Sequence, residues 1–183
     1  MTPSFAIRVD AATHIGSGHL MRCLTLAHQL RTLGARVRFL CRAHPGHLNH
    51  RIRAEGFDLI ELPLPSASPN ELSQPLSSAS PNERSQPLPS ASPTDDLSLY
   101  GAAWLGATWQ EDAAQCARNL APDPVDWLIV DHYGLDARFE TAVQSGYRRL
   151  MVIDDLANRP HVCDILLDQT LGLFDFSGGK SAK

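Results

Sequence analysis

The feature that most constrains this chain is a series of short apolar runs, several of which end in aspartate. Phe5–Val9 (FAIRV) runs into Asp10, and Trp127–Val130 (WLIV) into Asp131. Leu150–Ile153 (LMVI) runs into Asp154 and Asp155, and Ile165–Leu167 into Asp168. Arg36–Cys41 (RVRFLC) and Phe57–Leu62 (FDLIEL) read as two further strands. Helical spacing lies between these runs. Leu20, Cys23, Leu24, Ala27 and Leu30 share one face of a helix that Gly34 terminates. His47–Glu55 is a short helix stopped by Gly56. Thr108–Glu111 has the pattern of a capping box ahead of Ala113, Cys116, Ala117 and Leu120, and Pro122 and Pro124 end that helix. Ala137–Ser145 is a fourth helix, closed by Gly146. Strands that alternate with helices and are apolar on both faces imply a parallel sheet covered on both sides, an α/β Rossmann-like architecture. Ligands of such sheets bind at the carboxyl ends of the strands. Those ends carry Asp10, Asp131, Asp154, Asp155, Asp168 and a glycine-rich loop, so the functional residues should gather on one edge.

That architecture is interrupted once. From residue 64 to 99 the chain repeats with a period of 12: SASPNE at Ser66–Glu71 and again at Ser78–Glu83, then a degenerate SASPTD at Ser90–Asp95. Units of Ser, Pro, Asn and Gln with a lone Leu or two lack the apolar surface that solenoid repeats need in order to stack. The segment reads as a flexible, tandemly duplicated insert. The rest is expected to form one Rossmann-like domain from residues 1–63 and 100–175, ahead of a polar tail at 176–183. A net charge of -4 and the absence of a basic run or stripe argue against a nucleic-acid or anionic-membrane partner. No apolar stretch is long enough to span a bilayer, and Met1–Ile7 lacks the features of a signal peptide, so the expectation is a cytoplasmic protein. The four cysteines, Cys23, Cys41, Cys116 and Cys163, form no CxxC pair and read as reduced thiols.

Three segments carry chemistry. Gly16-Ser17-Gly18-His19 joins the first strand to the first helix. Glycines there allow a tight turn and close backbone approach, and a helix N-terminus offers unpaired N–H groups to an anion or a sugar oxygen. Met21 stands where the full GxGxxG motif has its third glycine, which weakens the case for a dinucleotide site. A histidine side chain can take or give a proton near neutral pH, which makes His19, in the first helical turn, a catalytic candidate; the plainer reading is a histidine that caps the helix or packs on the sheet. Asp131-His132-Tyr133-Gly134 places three polar groups at the end of a buried strand, or else forms an ordinary Asp-type turn. In Ile153-Asp154-Asp155, neighbouring side chains on extended backbone point opposite ways, so one carboxylate should face the cleft and the other cap a turn. Cys41, His44, His47 and His50 recur at intervals of three, but Pro45 and Gly46 break the run and no zinc-type pairing matches, so no metal is expected. Neither a GxSxG elbow nor a phosphate-binding GxxxxGK[ST] loop is present.

In combination and order, several segments resemble one family. They are Arg8-Val-Asp10, Ile15-Gly-Ser-Gly-His19, Met21-Arg-Cys-Leu-Thr-Leu-Ala27, Asp131-His-Tyr-Gly134, Ile153-Asp-Asp155 and Cys163-Asp-Ile-Leu-Leu-Asp-Gln169. The chain is similar here to the UDP-2,4-diacetamido-2,4,6-trideoxy-β-L-altropyranose hydrolases of pseudaminic acid biosynthesis. The resemblance implies the N-terminal domain of a glycosyltransferase-B-like fold. It implies release of UDP from that diacetamido sugar, by attack of water at the anomeric carbon with inversion and without a cofactor or metal. His19 matches the family's catalytic histidine and Tyr133 the tyrosine of its DHYG segment. Asp10, Gly16, Gly18 and Asp131 fall on matching segments as substrate-binding candidates. Two features depart from the family: the repeat insert, and the ending Phe176-Ser-Gly-Gly-Lys-Ser-Ala-Lys183, where the family has a second domain that supplies most of the UDP site. The expectation is therefore weak or no turnover by this chain alone, or a requirement for a separately encoded C-terminal domain. The alternatives are the N-terminal half of a glycosyltransferase of the same architecture, or a non-catalytic fragment.

Overall fold

The computed structural model describes residues 2–65, 99 and 101–169. The repeats and the polar tail, and with them the flexible-insert and tail readings, lie outside the described residues. Six strands form one sheet: β1 (Ser4–Val9), β2 (Arg36–Arg42), β3 (Asp58–Leu62), β4 (Val125–Asp131), β5 (Tyr147–Ile153) and β6 (Ile165–Leu167). Their order is β3-β2-β1-β4-β5-β6, and every pairing is parallel. This is the α/β Rossmann-like sheet that the apolar runs imply. Strands from both sides of the repeat segment pair directly, with Val9 of β1 opposite Asp131 of β4.

Among the described residues four α-helices cover the sheet: α1 (Gly18–Thr32), α2 (Asn49–Ala54), α3 (Trp109–Leu120) and α4 (Ala137–Ala142). Because successive strand residues point to opposite faces, each strand feeds two cores. Ile7, Val9, Phe39, Cys41, Ile129 and Ile153 pack with Leu20, Cys23, Leu24 and Ala27 of α1 and Ile52 of α2. Ala6, Leu40, Leu128, Val130 and Val152 pack on the other face with Ala113, Cys116 and Leu120 of α3 and Phe139 of α4. All four cysteines are free.

The helix ends follow the expected local chemistry. Gly34 adopts φ +84°, and two bonds close α1: Ala35 N–H to Leu30 O at 3.0 Å and Gly34 N–H to Arg31 O at 2.9 Å. This is the Schellman arrangement, which needs a left-handed residue at that position. At the start of α3, Thr108 Oγ1 accepts from Glu111 N–H at 3.2 Å, and Glu111 Oε2 accepts from Thr108 N–H at 2.9 Å. One expectation needs correction. The helix expected over 137–145 ends at Ala142, and residues Gln144–Gly146 form a 3-10 turn. Gly146 is drawn against Leu120 of α3, so closely that a Cβ there would stand 2.7 Å from the leucine Cβ. β5 then begins at Tyr147 rather than Leu150.

Beneath the carboxyl edge lies a buried ionic network. Arg8 points to the α3 side of β1 and donates to Asp112 from Nε (2.9 Å) and Nη2 (2.7 Å), and to Asp10 from Nη1 (2.6 Å) and Nη2 (2.8 Å). Arg42 donates to Asp112 at 2.5 Å and also to the carbonyl of Pro63. All four side chains are fully enclosed. Two arginines and two aspartates balance to zero, the condition for holding ions away from water.

Candidate active site

Strand order reverses between β1 and β4, because the chain leaves β1 toward β2 and β3 and returns on the other side. A crevice opens at such a switch point, outside the carboxyl ends of the two strands. The loop after β1 leads into α1 there, and Asp131 and Tyr133 follow β4. Residues separated by more than a hundred positions thus meet at one spot.

The loop is built for close approach. Gly16 has φ +87°, and its N–H donates to Ala12 O at 2.8 Å. A Cβ at Gly16 or Gly18 would meet nothing within 4 Å, so both glycines border open space. No side chain caps α1, and its first turn holds no acidic residue. Its first N–H groups, at the positive end of the helix dipole, therefore face this edge.

His19 Nδ1 lies 2.6 Å from Asp131 Oδ1. Arg22, one turn along the same helix face, donates to Asp131 from Nε at 2.6 Å and from Nη2 at 2.5 Å. The Cys23 thiol adds a fourth contact at 3.4 Å. Burial alone would raise the Asp131 carboxyl, but the hydrogen bonds from Arg22 and His19 outweigh it and hold the group below the usual carboxylate range. An ionised carboxylate only accepts, so the shared proton belongs to His19 Nδ1. Arg22 Nη2 also lies 3.1 Å from that nitrogen. In the neutral ring Nε2 is the acceptor nitrogen, and the His19 side chain is 12% exposed. The arrangement is a histidine aligned by a carboxylate, which an arginine keeps ionised, a geometry that suits a general base.

Tyr133 flanks it. Its ring meets the His19 ring edge-on, with centroids 4.6 Å apart. Its hydroxyl donates to Asp155, and Asp155 stands 3.6 Å from Arg22 Nη1. Burial, with the nearby Asp155 carboxylate, pushes the phenol up to about 12. Tyr133 therefore serves as a neutral group at physiological pH. Arg22 Nη1 also lies 3.4 Å from Gln169 Oε1.

The remaining candidates separate by strand parity. His132 points away from His19: its Nδ1 accepts from Gly134 N–H at 3.0 Å, and its Nε2 lies 3.5 Å from Asp10 Oδ2. Burial lowers it to about 4. Asp10, expected on a loop beside a ligand, is drawn beneath the edge and is 1% exposed. Arg8 and the Arg42 N–H take its oxygens, and His44 and His132 each lie 3.5 Å away. It braces the site from below. Asp154 is likewise buried, paired with Arg159 at 2.9 Å and accepting from Leu156 N–H in a turn, whereas Asp155 faces the cleft. Of the Cys41, His44, His47 and His50 series, Cys41 packs in the core under α1 and His44 lies against Asp10, while His50 is exposed. Among the described residues no group of His, Cys, Asp or Glu is placed to hold a metal ion. No helix among them is long and apolar enough to cross a membrane.

Two residues at the site were not singled out from sequence. Arg22 reads as off the apolar face of α1, yet its i,i+3 relation to His19 puts both on one side of the helix. Trp104 sits in a 3-10 turn, Ala102–Leu105, with no periodicity to mark it. Its ring centroid is 6.4 Å from His19 and 5.8 Å from Tyr133.

Comparison with known proteins gives little to add to this geometry. No family model matches the chain, and no curated protein matches it. Among solved structures it is similar to one titled "Crystal structure of LpCGTa in complex with UDP", with 16% sequence identity and a TM-score of 0.41 over 84% of this chain. The chain spans 30% of the length of that protein.

Proposed function

We propose that this domain carries the catalytic base of a nucleotide-sugar hydrolase, one that releases UDP from a UDP-linked 2,4-diacetamido-2,4,6-trideoxy sugar. The observation that carries the reading is the His19–Asp131 pair at the switch point, with Nδ1 of the histidine 2.6 Å from the carboxylate. UDP is already a good leaving group. The protein must supply a placed water and a proton acceptor. Nε2 accepts the proton of a water directed at the anomeric carbon. Asp131 stabilises the imidazolium that forms, and Arg22 keeps Asp131 ionised throughout. Tyr133, tied to Asp155, buttresses the ring of His19. Gly16, Gly18 and the first N–H groups of α1 offer a backbone surface to oxygens of the ligand. Asp10 acts through the buried network rather than by contact. The substrate class rests on the motif resemblance together with this arrangement.

The test is UDP release from the diacetamido UDP-sugar with no acceptor added, by this chain and by the chain supplemented with a C-terminal domain of a similar hydrolase. Release that disappears in His19→Ala supports the reading. Release unchanged by that substitution refutes it. Release only when an acceptor sugar is present marks a transferase.

A further inference from the structure

The amino ends of the strands, the edge opposite His19, hold a hollow that the proposed chemistry does not use. We propose that it is a binding site for a small organic carboxylate with a flat apolar body. The cavity measures about 340 Å³, and it is lined by residues at the starts of β1 to β4 and by Arg31 from the last turn of α1. That is room for a small ligand. Among the described residues, three guanidinium groups (Arg31, Arg36, Arg38) and two carboxylates (Asp58, Asp123) line it. Arg36 and Arg38 stand two apart on β2 and so on one face of the sheet. Both lean on one carboxylate: Arg38 Nη1 is 3.3 Å from Asp123 Oδ2, and Arg36 Nη2 is 3.8 Å from the same atom. Arg38 also donates to the Asp123 carbonyl, while its Nε is enclosed with no hydrogen-bond partner among the described residues. Arg31 pairs with no carboxylate among them. It donates to the Glu55 carbonyl at 3.0 Å, stands 2.9 Å from His28 Nδ1 and lies 4.2 Å above the centre of the Phe57 ring. The Glu55 carboxylate is engaged by His28 and Arg51 instead. The lining thus carries one positive charge in excess, in a chain whose net charge is -4.

The chemistry selects the occupant. An excess of one positive charge is balanced by a monoanion. A carboxylate matches the planar fork of a guanidinium with two parallel hydrogen bonds. Arg36 is 65% exposed and held only by its 3.8 Å approach to Asp123, so it can turn to such a ligand. Much of the remaining lining is apolar: Phe5, Ala35, Val37, Phe57 and Val125. These side chains suit the carbons of a ring and give nothing to the hydroxyls of a sugar. The geometry therefore points to an aromatic or alicyclic acid. The site lies at the opposite ends of the strands from the glycine loop, which remains the place for a diphosphate. It does not depend on the role proposed for His19.

The test titrates the full nitrogen-15-labelled chain with benzoate, benzyl alcohol, acetate and phenyl phosphate, and reads the backbone amide resonances. The expected result is a saturable shift of the Val37, Arg38 and Phe57 amides with benzoate, while those of Gly16–Leu20 stay in place. Arg38→Gln should weaken that binding about tenfold or more, through the loss of hydrogen bonds to a charged group. Arg36→Gln changes an exposed side chain, with little risk to the fold, and should weaken it in the same direction. Benzyl alcohol or acetate binding as tightly as benzoate would mean that only one half of the ligand is read, and would overturn the proposal. Tighter binding of phenyl phosphate would overturn the assignment to a monoanion. Shifts confined to Gly16–Leu20 would move the anion to the start of α1 and overturn it too. So would parent-like affinity in both arginine variants, or no saturable shift at Val37 and Phe57.

Discussion

Replacing Asp112 by Asn should destabilise the protein severely, although the residue is remote from any ligand. The carboxylate accepts three hydrogen bonds from guanidinium groups, from Arg8 Nε, Arg8 Nη2 and Arg42 Nη2, and a fourth from the Cys116 thiol at 3.6 Å, and none of these side chains is exposed. Burial acts to raise its carboxyl, but Arg8 overcomes this and holds it below the usual range, so the native group is ionised. The amide retains the shape and removes the charge. The enclosed sum then changes from zero to +1, with Asp10 left to compensate two guanidinium groups. Each lost pair at about 4 Å is worth roughly 4 kcal/mol at an effective dielectric of 20. Relief from desolving the carboxylate offsets part of this, so the net cost should be about 3–5 kcal/mol, as for other buried pairs broken on one side. At roughly 2–4 °C per kcal/mol for a chain of this size, Tm should fall by about 6–20 °C. Urea unfolding at pH 7, read by tryptophan emission, gives the free energy directly. The companion double variant, Asp112→Asn with Arg42→Met, restores neutrality around the Arg8–Asp10 pair and should be more stable than Asp112→Asn alone by at least about 1 kcal/mol. A single variant within 1 kcal/mol of the parent, or strictly additive costs in the double variant, would refute the balanced-charge account.

Three other perturbations test the site and its frame. Asp131→Asn should lower turnover by about 100-fold or more, since the amide no longer enforces the Nδ1–H form of His19, while the folded structure persists in circular dichroism; parent-like turnover would exclude the oriented base. Stability should fall as pH drops from 6.5 toward 4, because unfolding lets His132, held at about 4 by burial, take up a proton at its ordinary value. That interval is worth about 3 kcal/mol, and His132→Asn should flatten the slope of urea midpoints across it. Thr108→Ala removes the Oγ1 arm of the capping box on α3, keeps the backbone N–H that Glu111 accepts from, and should cost about 1 kcal/mol, read as a lower urea midpoint with the same m-value.

Much of this frame was visible in the residues alone, and the reasons are local. The apolar runs of β1, β4 and β5 are buried on both faces, so their composition declares them without any partner. Gly34 and Thr108 mark helix ends because the backbone conformation and side-chain reach they supply are needed there. His19 stood out as a titrating group at the start of a helix. The ionic network was harder to see. Asp112 lies four residues before Cys116 and thus on the buried face of α3, yet a charge at such a position reads as solvent-facing until two arginines are known to lie opposite. Arg8 and Arg42 read as strand polarity for the same reason. Strand order was not legible, because neighbours in a sheet are chosen by packing across the whole chain. The meeting of His19 with Asp131 depends on that order. So does the separation of Tyr133 from His132, whose opposite directions follow only once the strand's faces are assigned.

The connection that leaves β3 is fixed at both ends. Its two ends converge: a Cβ on Gly106 would stand 3.0 Å from Leu64 Cδ2, and Pro63 O is bonded by Arg42 and lies 3.4 Å from Gln115 Nε2. Both stems are thus anchored to the frame, independently of what runs between them. Doubling the length of an unstructured closed loop costs only about 0.6 kcal/mol of entropy. For the same reason the site is a natural port for grafting a foreign peptide or a fluorescent domain.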